Sequence, residues 1–351
     1  MMLQGHFIDT LLAIEYRDPD NIAYSTWLYF RGITAPVFFT ISGLIFTYLL
    51  IKAKEKGTLS IRIRKGLVRG LMLIGIGYAL RIPIFRWLTG KFGTYFMVID
   101  VLQCIGLSLI LIVCIYLLAR KKTLIFSVVM LCLGTLIFLC EPLFRTYSAE
   151  RIPLFFANYL TKVNGSVFTI LPWFGYMAYG AFIATLFYGY LTRPKFKTGL
   201  ITGFFVTGLI LVYGSTPVFL ELAKLINWTL LTEVANFNYL FIRLGNVLVI
   251  FGLFYAFEDY LKQPVVLIIG QKTLSIYVIH FILLYGSFTG LGLNQILGKV
   301  LTPFEVVFGA ICFLVTVSLI SIYIIKANTH IYKYIIDKLH YLKSLTKSLN
   351  N

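Results

Sequence analysis

Residues 96–119 read FMVIDVLQCIGLSLILIVCIYLLA, and Asp100 is the one charged residue in the run. At about 1.5 Å of rise per residue, a helix of that length covers a hydrocarbon core of ~30 Å. A barrel strand would alternate polar and apolar positions, which this run does not, so a membrane helix is the expected element. Working outward, comparable stretches lie near 32–52, 67–89, 123–140, 166–191, 199–221, 238–260, 264–288 and 303–326, with residues 1–14 as a short first span. The expected fold class is all-α, a polytopic transmembrane bundle of about ten spans over residues 1–326, followed by a separate tail over 327–351. Composition agrees: of 351 residues 59% are hydrophobic and 13% charged, against ~25% charged in soluble domains. A soluble globular protein is thereby excluded.

The formal net charge of +17 invites a nucleic-acid reading, but the distribution of that charge opposes it. Alternate loops between spans hold nineteen Lys and Arg in KAKEKGTLSIRIRKGLVR, RKK, RPKFK, Lys262 and the C-terminal segment. The other set holds nine: Arg17, Arg31, Arg86, Lys91, Arg145, Arg151, Lys162, Lys224 and Lys299. The positive-inside rule places the richer set in the cytoplasm, and ten spans then put both termini there, in a multi-pass protein of the cell membrane. Beyond Lys326, the segment 327–351 sets Lys333, Lys338, Lys343 and Lys347 among Ile, Tyr and Leu, the pattern of an amphipathic helix on an anionic lipid surface.

Cys104, Cys114, Cys132, Cys140 and Cys312 fall within apolar runs at no metal-ligand spacing, so neither a metal nor a disulfide framework is expected. There is no HxxxH, no phosphate-binding GK[ST] loop and no GxSxG, and Gly75 and Gly77 lack a third glycine and fit helix packing better than dinucleotide binding. The residues before Glu15 show neither a basic leader nor a small-residue cleavage site, so no cleavable signal peptide is expected.

Polar groups at membrane depth are costly and therefore candidates for function. His6 and Asp9, three apart, share a helix face, and a carboxylate beside an imidazole would orient it as a general base; a polar pair finishing a span near water fits the spacing equally well. TAPVFFTISG, residues 34–43, places Pro36 in the first turns of its expected span and Ser42 and Gly43 where helices can approach closely. Asp100 and Gln103 share a face and could meet a basic group such as Arg81 or Arg243 in an internal ion pair. In IGQKTLSIYVIHFILLYG, residues 269–286, Thr273, Tyr277 and His280 form one stripe, either a cavity wall or the setting of a core histidine.

In order, MMLQGHFID, RGITAPVFFTISGLIFTYLL, DVLQCIGLSL, LPWFGYMAYGAFIA and GQKTLSIYVIHF resemble the transmembrane acyltransferase superfamily. The likeness is to bacterial proteins similar to the heparan-alpha-glucosaminide N-acetyltransferase catalytic domain, with the acyltransferase-3 family as a cousin. The resemblance implies a membrane acetyltransferase that moves an acetyl group from cytoplasmic acetyl-CoA to a hydroxyl or amine of an extracytoplasmic glycan. It implies that His6 is catalytic, as base or as nucleophile through an acetyl-histidine, with Asp9 beside it. Arg62, Arg64, Lys65 and Arg69 would then meet the phosphates of CoA, although the positive-inside rule alone also explains them. Arg81, Asp100, Gln103, Trp173 and His280 would line the substrate cavity. The expected partners are a glycan or other small acceptor, anionic lipid and a second copy of the chain, without nucleic acid.

One departure stands out. Relatives carry an apolar half-helix with a basic residue about ten positions ahead of the histidine, whereas here His6 is the sixth residue. Fourteen helical residues cover ~21 Å, so the first span as given is short of a ~30 Å core. A start at an internal methionine is favoured over a shortened, inactive member. The rival function is a secondary transporter of a sugar or lipid-linked precursor, for which Pro36 and Pro172 in spans five apart give a weak repeat signal.

Overall fold

The computed structural model describes residues 1–323, and the basic tail expected over 327–351 lies outside the described residues. The principal helices, in chain order, are α1 Met2–Leu11, α2 Ile22–Glu55, α3 Leu59–Ala79, α4 Val101–Leu118, α5 Thr123–Leu139, α6 Ile170–Tyr190, α7 Phe196–Ile226, α8 Tyr239–Ala256, α9 Pro264–Gln271, α10 Thr273–Tyr285 and α11 Pro303–Tyr323. Among the described residues there is no strand, only an isolated bridge between Leu12 and Leu301. The fold class is all-α and the protein is a membrane protein. Six stretches among the described residues are long and apolar enough to cross a bilayer, and the bent pair α9–α10 would make a seventh. Ten were expected. The shortfall has local causes: α1 has 10 residues, α3 carries Arg62, Arg64, Lys65 and Arg69, and α5 stops at 17 residues.

The chain divides into two compact units, Pro19–Glu258 and a second made of Met1–Asp18 with the chain from Asp259 onward. In the first, α2 packs against α6. A Cβ on Gly43 would collide with the Met177 carbonyl, and one on Gly180 with the Thr40 carbonyl, so the two backbones are in direct contact. In lipid, where apolar surface gains nothing by leaving solvent, such close packing is what drives helices together. The pair α3–α4 repeats the device: a Cβ on Gly70 would stand 2.8 Å from the Gly106 carbonyl oxygen. In α7–α8 the corresponding distance is 2.8 Å from Gly208 to the Gly245 oxygen. Ile33, Ile183, Phe204, Val247, Leu248 and Phe251 fill the space where α2, α6, α7 and α8 converge. The α5–α6 pair adds polar ties, Ser127 to Thr185 at 2.7 Å and Thr135 to Tyr179 at 2.9 Å. Large apolar side chains such as Leu124 and Phe304 point outward, 78% and 82% exposed, as hydrocarbon and not water requires.

Three helix details differ from the sequence reading. First, α2 starts at Ile22, because Asn21 Oδ1 accepts hydrogen bonds from the Ala23 and Tyr24 amides. Pro36 therefore lies in the helix interior and not in its first turns, and Thr40 Oγ1 donates to the Pro36 carbonyl at 2.8 Å. Second, α4 starts at Val101 and not at residue 96, so Asp100 and Gln103 form its capping box. Third, the expected span 264–288 is broken between Gln271 and Thr273 by a 65° bend. There the Thr273 hydroxyl donates to the Gly270 carbonyl at 2.7 Å, a local bond that competes with the helix ladder.

Candidate active site

The unit that contains α1 holds the candidate site. Only Leu12 and Ala13 continue from α1 before the chain is tied back: Ala13 N–H donates to the Leu301 carbonyl and Leu301 N–H to the Leu11 carbonyl, both at 3.0 Å. Arg17 then caps the helix end, its Nη2 donating to the Asp9 carbonyl at 2.8 Å and to the Leu12 carbonyl at 2.7 Å. A guanidinium on the orphan carbonyls of a helix C-terminus is favourable both as hydrogen bond and against the helix dipole. The buried Phe7 ring packs on Phe313 of α11 with centroids 5.2 Å apart. These contacts fix the rotation of α1, and so the direction of His6.

His6 is half-buried and stacks on His280 of α10, with ring centroids 5.3 Å apart and planes 28° from parallel. His280 is fully buried, and Tyr277 meets it edge-on at 5.0 Å. His6 Nδ1 lies 3.1 Å from the Tyr285 hydroxyl. Thr10, one helical turn after His6, donates its hydroxyl to the same Tyr285 oxygen at 3.4 Å. The Tyr285 ring is held by Phe281 at 4.9 Å, and α10 ends immediately afterwards at Gly286, whose φ of +67° favours glycine. The sequence reading brought out His6, Asp9 and His280 but missed Tyr285 and Thr10. The signal for Thr10 was present, because it stands at i+4 from His6. Nothing in the stripe of 273, 277 and 280 pointed to Tyr285.

The remaining candidates belong to the other unit. Arg81 Nη2 and Asp100 Oδ2 form an ion pair at 2.8 Å, and the Arg81 guanidinium also lies over the Tyr95 ring at 5.0 Å. Asp100 Oδ1 accepts from the Val101 amide, and Gln103 Oε1 accepts from the Asp100 amide. Arg243 goes elsewhere, donating to the Tyr29 carbonyl at 2.6 Å. Together Arg81, Asp100 and Gln103 join the end of α3 to the start of α4. Replacing Asp100 with Ala removes both a cap and the ion pair, and is expected to cost about 1–3 kcal/mol in a reversible unfolding measurement; Asp100→Asn, which keeps a capping oxygen, should recover roughly half of it.

Trp173 stands in an aromatic cluster with Phe39, Phe168 and Tyr176, at centroid distances of 5.2, 4.7 and 5.7 Å. Its buried indole N–H makes no hydrogen bond among the described residues. On α3, Arg64, Lys65 and Arg69 are exposed, while Arg62 is half-buried with its guanidinium 5.7 Å from the centroid of the Phe46 ring. Burial, and after it the charge of Arg69, lowers the Arg62 pKa, and the Arg62 Nε–H is a buried donor with no hydrogen bond among the described residues. Among the described residues no group of three or more His, Cys, Asp or Glu is placed to hold a metal ion.

A family profile described as "Heparan-alpha-glucosaminide N-acetyltransferase, catalytic" matches residues 1–223. The chain belongs to this family. Membership makes it a transferase, an acetyltransferase of the membrane type. No curated protein and no solved structure matches the chain significantly. The matched region includes His6, Asp9, the basic residues of α3, the Arg81–Asp100 pair and Trp173. His280 and Tyr285, which complete the surroundings of His6, lie beyond it.

Proposed function

We propose that this membrane acetyltransferase moves an acetyl group from acetyl-CoA to a hydroxyl or amine of an extracytoplasmic glycan, with His6 as the general base. The observation that supports this most is the hydrogen bond between His6 Nδ1 and Tyr285. With the Nδ1–H donating to Tyr285 Oη, the imidazole is the neutral tautomer whose lone pair is on Nε2. Nε2 then takes the proton of the acceptor as its oxygen or nitrogen attacks the thioester carbonyl. The C–S bond breaks as the tetrahedral adduct collapses, and the departing thiolate recovers that proton from the imidazolium. Asp9, on the same helix, is assigned an electrostatic role toward the imidazolium.

The α3 cluster is a suitable site for the phosphates of the donor. A guanidinium repelled by Arg69, with an unused buried N–H, gains on meeting an anion. We place this cluster and both termini on the cytoplasmic side, in line with the charge asymmetry of the loops.

The test is transfer of radiolabel from acetyl-CoA to a panel of glycan acceptors by the full chain in lipid nanodiscs. Label on the acceptor supports the base mechanism, label trapped on the protein would turn His6 into the nucleophile, and flux of an acceptor sugar through proteoliposomes without acetyl-CoA would replace the enzyme by a transporter. Tyr285 is a positioning residue. Removing its hydroxyl in Tyr285→Phe forfeits a hydrogen bond worth about 0.5–1.5 kcal/mol, so kcat should fall roughly 3- to 10-fold. KM for the acceptor should hold, because the hydroxyl acts through the imidazole. A merely structural role would instead lower the unfolding midpoint without this split.

A further inference from the structure

Of the two guanidiniums that the sequence offers to Asp100, Arg81 takes the carboxylate and Arg243 is left without one. Arg243 is half-buried near the start of α8, on the side that meets α2. Its Nη1 donates to the Tyr29 carbonyl at 2.6 Å, and the guanidinium lies over the Tyr29 ring, 5.0 Å from the centroid. The Tyr29 hydroxyl in turn donates to Asn246 Oδ1 at 2.8 Å, one turn further along α8. Room for this arrangement comes from Gly32, where a Cβ would collide with the guanidinium. Ring, carbonyl and missing methyl together hold the cation in one place.

None of these partners carries a negative charge. Among the described residues Arg243 makes no ion pair and no hydrogen bond besides the one to Tyr29, so most of its N–H donors remain unspent. The buried Asn246 Nδ2 beside it also lacks a hydrogen bond among the described residues. A charged side chain in a membrane helix is costly, and an anion brought to it relieves that cost. Depth decides which anion is at hand. The 34 residues of α2 cover ~51 Å, about 21 Å more than a ~30 Å hydrocarbon core, which leaves roughly 10 Å beyond the core at each end. Tyr29 is the eighth residue of α2, ~10 Å from its start, and so lies where hydrocarbon gives way to headgroups. Tyr24 and Trp27, with ring centroids 5.6 Å apart, stand just beyond it, and Phe30 is exposed, as in the aromatic belts of that depth.

We propose that Arg243 binds the phosphodiester of a lipid headgroup, at the end of the bundle where α2 starts. The remaining N–H groups of the guanidinium donate to the phosphate oxygens, while Tyr29 and Gly32 keep the fork in position. A lipid of net negative charge such as phosphatidylglycerol is preferred, because the choline of a zwitterionic lipid already neutralises its own phosphate. The site is distinct from the basic residues of α3, which follow the opposite end of α2. It also stands independently of the acetyl-transfer reading, since it uses none of the residues around His6.

The experiment measures thermal unfolding of the full chain in dodecyl maltoside micelles, titrated in one arm with phosphatidylglycerol and in the other with dimethyl phosphate at constant ionic strength. A saturable rise of the midpoint with phosphatidylglycerol, half-reached at a lipid ratio at least tenfold higher in Arg243→Gln and partly restored in Arg243→Lys, supports the site with a lipid ligand. A rise with dimethyl phosphate alone, lost in Arg243→Gln, supports it with a soluble phosphate ester. No rise in either arm overturns the proposal, as does a rise that Arg243→Gln leaves unchanged, which would put the lipid on other basic residues. Should Arg243→Gln fail to fold, Gly32→Ala carries the same comparison. Its added methyl displaces the guanidinium, so weakened affinity is expected and unaltered affinity overturns the proposal.

Discussion

His6→Ala should lower kcat for acetyl transfer by about 10²–10⁴-fold, the usual contribution of a positioned general base, with little change in the unfolding midpoint. The small structural effect follows from how α1 is held. Its docking rests on the Leu12–Leu301 bridge, on Arg17 at the helix end and on Phe7 against Phe313. None of these contacts involves the imidazole. What His6 loses on truncation is a bond to Tyr285 and a stack on His280, together worth about 1–2 kcal/mol. Initial rates with radiolabelled acetyl-CoA, beside unfolding scans of the same preparations, check this. Transfer by His6→Ala within threefold of the parent would sink the assignment. His6→Gln, which keeps a group able to reach Tyr285, should be as inactive as His6→Ala, because an amide cannot take the proton.

Gly180→Leu should be the most destabilising single change outside that site. A Cβ on Gly180 would collide with the Thr40 carbonyl and crowd the Leu44 amide, which are backbone atoms of α2 that cannot swing aside. Overpacking of flexible side chains costs about 1–3 kcal/mol. Forcing two helix backbones apart also forfeits the dispersion contacts of the whole crossing, so we expect more than ~3 kcal/mol. The collapse should be visible as loss of a folded band in detergent and a midpoint lowered by several degrees. Gly203→Leu is the matched control, since a Cβ on Gly203 meets nothing within 4 Å, and it should behave like the parent. If the two variants unfold alike, close approach of the α2 and α6 backbones does not hold this unit together.

The helices were legible because the cost of placing a group in hydrocarbon adds up residue by residue. Each expected span overlaps helix among the described residues, in the expected order, although only six stretches, or seven with the bent pair α9–α10, are long and apolar enough to cross a bilayer. The ends of the helices were less legible, because a single local hydrogen bond decides them. Asn21 extends α2 backward by a stretch containing Arg31, which a hydropathy reading stops short of. Asp100, read as a charge at membrane depth, turns out to hold the first turn of α4 and the guanidinium of Arg81. Sequence spacing found that Asp100 and Gln103 act together, but it left Arg81 and Arg243 as equal partners. Only the packing of α3 on α4, closed at Gly70 and Gly106, brings Arg81 to the carboxylate.

What the sequence determined by itself, then, was a helical membrane protein, the places of its apolar segments, and the position of His6 and Asp9 on one short helix. These follow from length, periodicity and charge, which are properties of neighbouring residues along the chain. The tertiary structure decided the identity of the groups around His6. Tyr285 and His6 are 279 positions apart, and no local rule pairs them. They meet because Arg17 and Leu301 fix the end of α1 while the bend at Lys272 redirects α10. Contacts of that kind depend on three-dimensional packing, in which a rotation of one helix by a single residue position would turn the imidazole away from the hydroxyl.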